Sequence, residues 1–270
     1  MAQDWSKILG MWNWEPSILI GIACFLGAYL AVIGPLRSRF TLLLPAKRSQ
    51  IIWFILGVFF IFLALVSPLD GLSDEYLFSA HMLQHTLLII IVPPLLLLGT
   101  PGWLIDSFVR HPIVLRVARF LTNPIPAYCI FNVVFSTWHF PIFYEAALDN
   151  QSIHIFEHLC FMVAGVLNWW PIFSSSTKLP RISYPAQMLY LFLESIPSTI
   201  LGAVIIFSPT ILYPFYENAP RILGISVMTD QQIAGLIMAM PAGMAYLVAL
   251  TVVFFTWSYR EEHRALKPSG

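Results

Sequence analysis

The histidines of this 270-residue chain are spaced in a way that suits metal binding. His81 and His85 lie four residues apart, and His154 and His158 repeat that spacing further along the chain. Side chains at positions i and i+4 share one face of a helix, so each pair can present two ring nitrogens to one centre. A fifth histidine, His139, ends another apolar segment. Neutral imidazole is a good ligand for copper, zinc and iron, so these five residues predict a metal site.

Soft and acidic side chains beside these histidines narrow the choice of metal. Met82 follows His81, and Met162 lies one turn beyond His158 on the same helix face. A thioether beside imidazoles suits cuprous ion, so we favour Cu(I) over zinc or haem as the cofactor. Glu157 shares the face of the second histidine pair. It could ligate the metal or bond to another helix, but we favour a role in holding an imidazole in one tautomer.

The composition indicates a membrane protein. Hydrophobic residues make up 58% of the chain and charged residues only 10%, whereas soluble proteins carry roughly 25% charged residues. We predict an all-α polytopic membrane protein with seven transmembrane helices, in one domain that covers residues 1–270. The predicted spans, each close to the roughly 20 apolar residues that a crossing requires, are residues 17–34, 50–67, 80–99, 125–143, 154–173, 185–207 and 231–256.

The lysines and arginines predict how the spans are oriented. Twelve of the 14 lie on one side, the last of them Lys267, and only Lys7 and Arg221 lie on the other. Cytoplasmic loops are enriched in these residues, so we expect the N-terminus outside and the C-terminus in the cytoplasm. We predict that residues 1–16 form an interfacial segment and residues 103–120 a cytoplasmic amphipathic segment. This topology brings the five histidines to one depth near the outer surface.

Three further features of the spans bear on this site. The seventh span begins in the histidine layer with Asp230, Gln231 and Gln232, which we interpret as accessory groups. Glu194 lies near the middle of the sixth span, where a buried carboxyl could carry protons or interact with an ion. Its depth argues against direct ligation. A Pro-Pro pair at 93–94 lies in the middle of the third span and is expected to kink the helix that carries the first histidine pair.

A series of short motifs runs along the chain in one order. It comprises His81-Met-Leu-Gln-His85 with Pro93-Pro94 and Leu-Gly99-Thr-Pro101, Trp138-His139-Phe-Pro141 with Tyr144, His154-x-x-Glu157-His158, Trp169-Trp170-Pro171, and Asp230-Gln231-Gln232-Ile-Ala-Gly235. In combination these motifs resemble the CtaG-type cytochrome c oxidase assembly factors of the caa(3) kind, and the similarity covers nearly all seven spans. One departure is Ala239-Met240, where the resemblance leads us to expect a tryptophan.

The resemblance implies a protein of the bacterial cytoplasmic (inner) membrane that is needed to assemble haem-copper oxidase through copper handling. The implied partners are cytochrome c oxidase subunits or another copper chaperone, together with membrane lipid, and no nucleic acid is expected. We therefore interpret the chain as a copper-binding assembly factor, and not as an enzyme. It would hold or deliver copper through the histidine-rich site at the outer face of the membrane. The oligomeric state is left open.

Two other functions fit the same histidines. Histidines on facing helices can ligate haem axially, as in a membrane redox protein, although haem needs only two ligands. The sequence from His154 to His158 also matches the H-x-x-E-H pattern of inverzincins. In that pattern the glutamate, here Glu157, acts as general base beside a zinc-bound water. A membrane-embedded zinc hydrolase is therefore the other alternative.

Overall fold

The chain is folded into α-helices in the computed structural model, which describes residues 2–39 and 45–265. No β-strand occurs within those two ranges, and Lys267, counted above toward the inner side, lies outside them. In chain order the helices are α1 (Ala2–Leu9), α2 (Pro16–Ile33), α3 (Arg48–Leu65), α4 (Pro68–Glu75), α5 (Phe78–Thr86), α6 (Val92–Gly99), α7 (Gly102–Phe108), α8 (Pro112–Leu121), α9 (Pro124–Trp138), α10 (Pro141–Asp149), α11 (Gln151–Phe173), α12 (Tyr184–Phe207), α13 (Phe215–Asn218) and α14 (Val227–Ala265).

Six helical stretches in the described part of the chain are long and apolar enough to cross a membrane. Each of them overlaps one of the seven predicted spans, and most boundaries agree within a few residues. The stretches are Pro16–Ile33, Arg48–Leu65, Phe78–Gly99, Gln151–Phe173, Tyr184–Phe207 and Val227–Arg264. Their length and composition fit repeated membrane crossing.

The predicted span at 125–143 does not form one long helix. It forms α9, whose 15 residues extend about 22 Å at 1.5 Å per residue, less than the roughly 30 Å of a bilayer core. α9 ends at Trp138 with His139 as its cap, and Pro141 begins α10. A proline cannot continue the preceding helix and favours extended backbone before it. The sequence predicts seven spans, whereas the residues that the structure describes contain six full-length candidate spans, and the predicted span at 125–143 is occupied by the shorter α9.

The two segments predicted to lie outside the spans form short helices. Within residues 1–16, α1 packs through Ile8 against Tyr76 and Leu77. The segment 103–120 forms most of α7 and α8. The break between them falls just before the proline that begins α8, because proline favours the first turn of a helix and not its interior.

The third span changes helix type beside its prolines. A π-helical turn, Leu87–Ile91, separates α5 from α6, and prolines that follow such a turn remove the backbone donors that a regular helix would use. The indole N–H of Trp169 donates to the carbonyl of Ile89 at 3.2 Å. A Cβ at Gly165 would lie 2.9 Å from Pro93 Cγ. The missing side chain therefore lets α11 pack closely on the third span, which places the two histidine pairs side by side.

The last two long helices also meet at glycines. A Cβ at either Gly202 or Gly235 would lie 2.7 Å from the carbonyl oxygen of the other residue. Small residues of this kind let membrane helices approach closely. This contact holds α14 against α12. The first turns of α14 also contact α5.

Candidate metal centre

The five histidines predicted to share one layer converge in the structure. The ring centroids are 4.1 Å apart for His81 and His85, and 4.2 Å apart for His154 and His158. Between the two pairs, His81 lies 5.4 Å from His154, and His85 lies 5.4 Å from His158. His139, at the end of α9, lies 6.2 Å from His85. Together with Glu157 these residues form what we call the histidine cluster.

Four side chains of this cluster can direct ligand atoms at one point. The four-donor set consists of His81, His85, His154 and Glu157, each of which offers one atom within 4.8 Å of the others. Glu157 Oε1 lies 3.8 Å from His85 Nε2. The carboxylate therefore lies where it can ligate an ion directly, in addition to the orienting role that the sequence favours. His158 and His139 flank this set.

The cluster is buried, and many of its polar atoms lack hydrogen bonds. His81 and Glu157 have no exposed surface, and the other members are at most 8% exposed. Within the described residues, the atoms without a hydrogen-bond partner include both ring nitrogens of His81 and His85, both carboxylate oxygens of Glu157, and Nε2 of His139, His154 and His158. An unsatisfied buried polar group costs about 1–3 kcal/mol. One bound cation would satisfy several of these atoms at once, so the residues fit a metal ion.

The accessory residues predicted at the start of α14 support the cluster from outside it. The carboxylate of Asp230 accepts hydrogen bonds from the backbone N–H of Phe78 at 2.7 Å and of Ser79 at 3.1 Å. It thereby caps α5, the helix that carries the first histidine pair. Gln231 bonds to the backbone of the segment between α12 and α13, whereas Gln232 is exposed. None of the three belongs to the four-donor set.

Two acidic residues of α4 border the cluster. Asp74 Oδ2 lies 3.7 Å from His154 Nδ1, and Asp70 accepts hydrogen bonds from Asn13 and Gln84 at 2.7 and 2.8 Å. Burial raises the pKa of Asp74 to about 6. Burial, followed by the nearby Asp74 carboxylate, raises the pKa of Asp70 to about 7. The surroundings thus disfavour two negative charges, and a cation beside them would relieve that cost.

Three tyrosines, which the spacing of the histidines does not indicate, pack around the cluster. The ring of Tyr144 lies 4.9 Å from that of His81, and its hydroxyl shares a hydrogen bond of 2.8 Å with Tyr216. Tyr213 donates to the backbone carbonyl of His139 at 2.8 Å. Only Tyr144 belongs to a motif noted in the sequence. The other two lie between α12 and α14, where no periodic pattern indicates their direction.

The remaining predicted site residues lie around the cluster. Met82 is buried and lines a small cavity of about 20 Å³ together with His85 and His139. Met162 is half-buried and faces a different, larger groove. Glu194 is buried, is not a member of the four-donor set, and accepts a 3.4 Å hydrogen bond from the amide of Asn132.

Apolar helices long enough for repeated crossing, together with a buried cluster of imidazoles and a carboxylate, define a multi-pass membrane protein with a candidate metal centre. Residues 27–260 match the family model of the cytochrome c oxidase caa3 assembly factor (Caa3_CtaG). The chain belongs to this family, which confirms the resemblance seen in its motifs.

Proteins of mycobacteria are similar to this chain. The uncharacterized proteins Mb0105 of Mycobacterium bovis and MT0111 of Mycobacterium tuberculosis are each 24% identical to this chain over 212 residues. The alignments cover 70% of this chain but 31% of each relative, so the chain spans about a third of the length of the curated relatives it matches. No solved structure matches the chain.

Proposed function

We propose that this protein binds copper as cargo in the histidine cluster and holds or delivers it for the assembly of cytochrome c oxidase. The observation that carries the proposal is the four-donor set, whose three imidazoles and one carboxylate converge within 4.8 Å. The family supplies the context of oxidase assembly. Imidazole suits copper, and the neighbouring thioethers of Met82 and Met162 favour its cuprous form.

The geometry favours a single stored ion over a haem group or the metal of a zinc hydrolase. Axial haem ligands face each other across a macrocycle, whereas the four donor atoms here face one another directly. A zinc hydrolase requires a substrate to reach a metal-bound water, but His81 and Glu157 have no exposed surface. Burial of the donors fits storage and transfer of an ion, so the protein is proposed not to be an enzyme. Zinc remains chemically compatible with imidazole and carboxylate.

A metal-binding measurement tests this proposal. Protein purified in detergent and loaded with cuprous ion under reducing conditions should retain about one copper per chain, with nitrogen and oxygen among the ligands in its X-ray absorption spectrum. It should bind zinc more weakly and show no Soret band. Protein that retains no copper would contradict the proposal. A chelator-sensitive hydrolytic activity that disappears in Glu157→Gln would instead support the zinc hydrolase.

We also propose that α9 crosses the membrane as the fourth of seven spans, in a bacterial cytoplasmic membrane, with the N-terminus outside and the C-terminus in the cytoplasm. The one-sided distribution of lysine and arginine supports this topology. Partners in that membrane would be oxidase subunits or another copper chaperone.

Cysteines placed on either side of α9 test this topology, after Cys24, Cys129 and Cys160 are replaced by serine. An impermeant thiol reagent added to intact spheroplasts should label Asp149→Cys, at the last residue of α10. It should label Arg119→Cys, which precedes α9, only after the membrane is opened. Both positions are exposed in the structure. Equal labelling of both variants in intact spheroplasts would show that α9 does not cross.

A further inference from the structure

A lateral groove of about 800 Å³ separates the outer half of α2 from α3 and α11. The inner half of α2 is packed, because the ring of Tyr29 stacks on Phe54 with centroids 3.6 Å apart. From Pro16 to Phe25, by contrast, α2 buries no residue. A Cβ at Gly21 would meet nothing within 4 Å. The outer half of α2 therefore stands away from α11 and leaves the groove open.

The second histidine pair forms part of the groove wall. His154 and His158 both line the groove, and Met162 lines it one turn further along α11. His154 also belongs to the four-donor set. Nε2 of His158 is buried and has no hydrogen-bond partner among the described residues. A molecule in the groove would thus contact the metal centre from the side, at membrane depth.

The chemistry of the groove limits what can occupy it. Apart from His154 and His158, its polar lining lies at the outer end, where the residues are Asn13, Ser17, Asp70, Asp74 and Gln151. The rest of the wall is largely apolar and comes from α2, α3, α6 and α11. An occupant must therefore be apolar along most of its length and polar or basic at its outer end, where it would lie opposite two carboxyl groups.

Small residues on α2 favour a helix over a lipid chain as this occupant. Ser17 and Gly21 lie four residues apart and both line the groove. Small residues at this spacing allow the backbones of two membrane helices to approach closely. A fluid acyl chain gains little from such a surface, because it makes no close backbone contact.

We propose that the lateral groove is the docking site for a transmembrane helix of the membrane protein that receives the metal. This helix presents an apolar face to α2 and α11, a polar or basic end to Asp70 and Asp74, and a sulfur or imidazole ligand at the depth of His158. The inference rests on the proposed copper function and adds the place of transfer. Transfer proceeds by exchange of donor atoms around the ion, so its oxidation state is unchanged and no oxidant or reductant is needed.

A matched pair of glycine substitutions tests whether the groove is used. Gly21→Phe fills the groove, whereas Gly27→Phe places the same side chain on the same helix outside the groove lining. A Cβ meets nothing within 4 Å at either position, so both variants are expected to fold. In the native host, as the sole copy, Gly21→Phe should bind copper like the parent but support about tenfold less oxidase activity, or lower. Gly27→Phe should match the parent protein in copper binding and in oxidase activity.

Photo-crosslinking identifies the occupant in the intact membrane. A benzoylphenylalanine replaces Leu159 in the groove wall or Leu189 on α12, which are 50% and 60% exposed. The Leu159 variant should crosslink to an oxidase subunit, identified by antibody and mass spectrometry, and Gly21→Phe should remove this adduct. Lipid adducts alone at Leu159, or the same protein adducts at Leu189, would overturn the proposal.

The two experiments separate this inference from the function on which it rests. Normal oxidase activity in Gly21→Phe overturns the docking site, and so does loss of copper binding in that variant, because the groove would then serve loading. Failure of the parent protein to bind copper overturns the copper function itself. The crosslinking result still reports in that case whether a helix occupies the groove.

Discussion

Replacing His81 and His85 together by alanine is expected to abolish copper binding. These two residues supply half of the four-donor set, and none of their ring nitrogens has another hydrogen-bond partner within the described part of the chain. The two remaining donors, His154 and Glu157, cannot complete the coordination of an ion in a site from which water is largely excluded. Metal analysis of the purified double variant should therefore find well under a tenth of the copper in the parent protein.

A control variant that lacks the same number of imidazoles tests whether the loss of copper binding is specific to His81 and His85. His111 and His263 are exposed, and His263 only bonds to the backbone of its own helix. The double variant His111→Ala/His263→Ala should bind copper like the parent. Both double variants should elute as the same monodisperse species in size-exclusion chromatography. Retention of copper and of oxidase activity by His81→Ala/His85→Ala would sink the assignment of the site.

Asp230→Ala is expected to be strongly destabilising. The carboxylate of Asp230 accepts hydrogen bonds from two buried backbone N–H groups at the start of α5 and from the hydroxyl of Ser79. Alanine would leave these donors unpaired and would release α5 from α14. The expected loss is about 3–5 kcal/mol in the free energy of unfolding. Thermal unfolding followed by circular dichroism should show a large fall in Tm, with weaker copper binding because the first histidine pair loses its support.

The control for this prediction lies two residues away. Gln232 is exposed on the same turn of α14, so Gln232→Ala should change the free energy of unfolding by no more than about 0.5 kcal/mol. Asp230→Asn keeps one acceptor oxygen and should fall between the two. If Asp230→Ala and Gln232→Ala unfold at the same temperature, the capping role of Asp230 is wrong.

Much of the helical framework could be read from apolar length alone. The span predicted at 185–207 corresponds to Tyr184–Phe207, because an uninterrupted apolar run must satisfy its backbone within a helix at membrane depth. At 125–143 the same criterion does not show where the helix ends. The apolar run there continues through Trp138 and Phe140, but Pro141 divides it into two helices. Hydropathy weighs composition and does not register a missing backbone donor.

The metal site was predictable only in part, because sequence spacing does not show how the helices pack against one another. Spacing shows that His81 and His85 share a helix face, but it does not show which face of α11 lies opposite. That arrangement depends on tertiary contacts such as the bond from Trp169 to Ile89 and the close approach at Gly165. The position of Glu157 within the four-donor set follows from the same packing. Sequence spacing favours an orienting role for Glu157, whereas in the structure its carboxylate also lies where it can ligate an ion directly.

The unpartnered donor atoms of the histidine cluster lower the stability of the fold but leave ligands available for an ion. A chain selected only to fold would carry leucine or phenylalanine at these positions, since apolar packing in a dry interior is often as stable as a buried polar group or better. Here the interior of the helix bundle instead holds imidazoles and a carboxylate, and many of their nitrogen and oxygen atoms have no hydrogen-bond partner among the described residues. Their placement is locally frustrated, which is typical of positions shaped by a task other than stability.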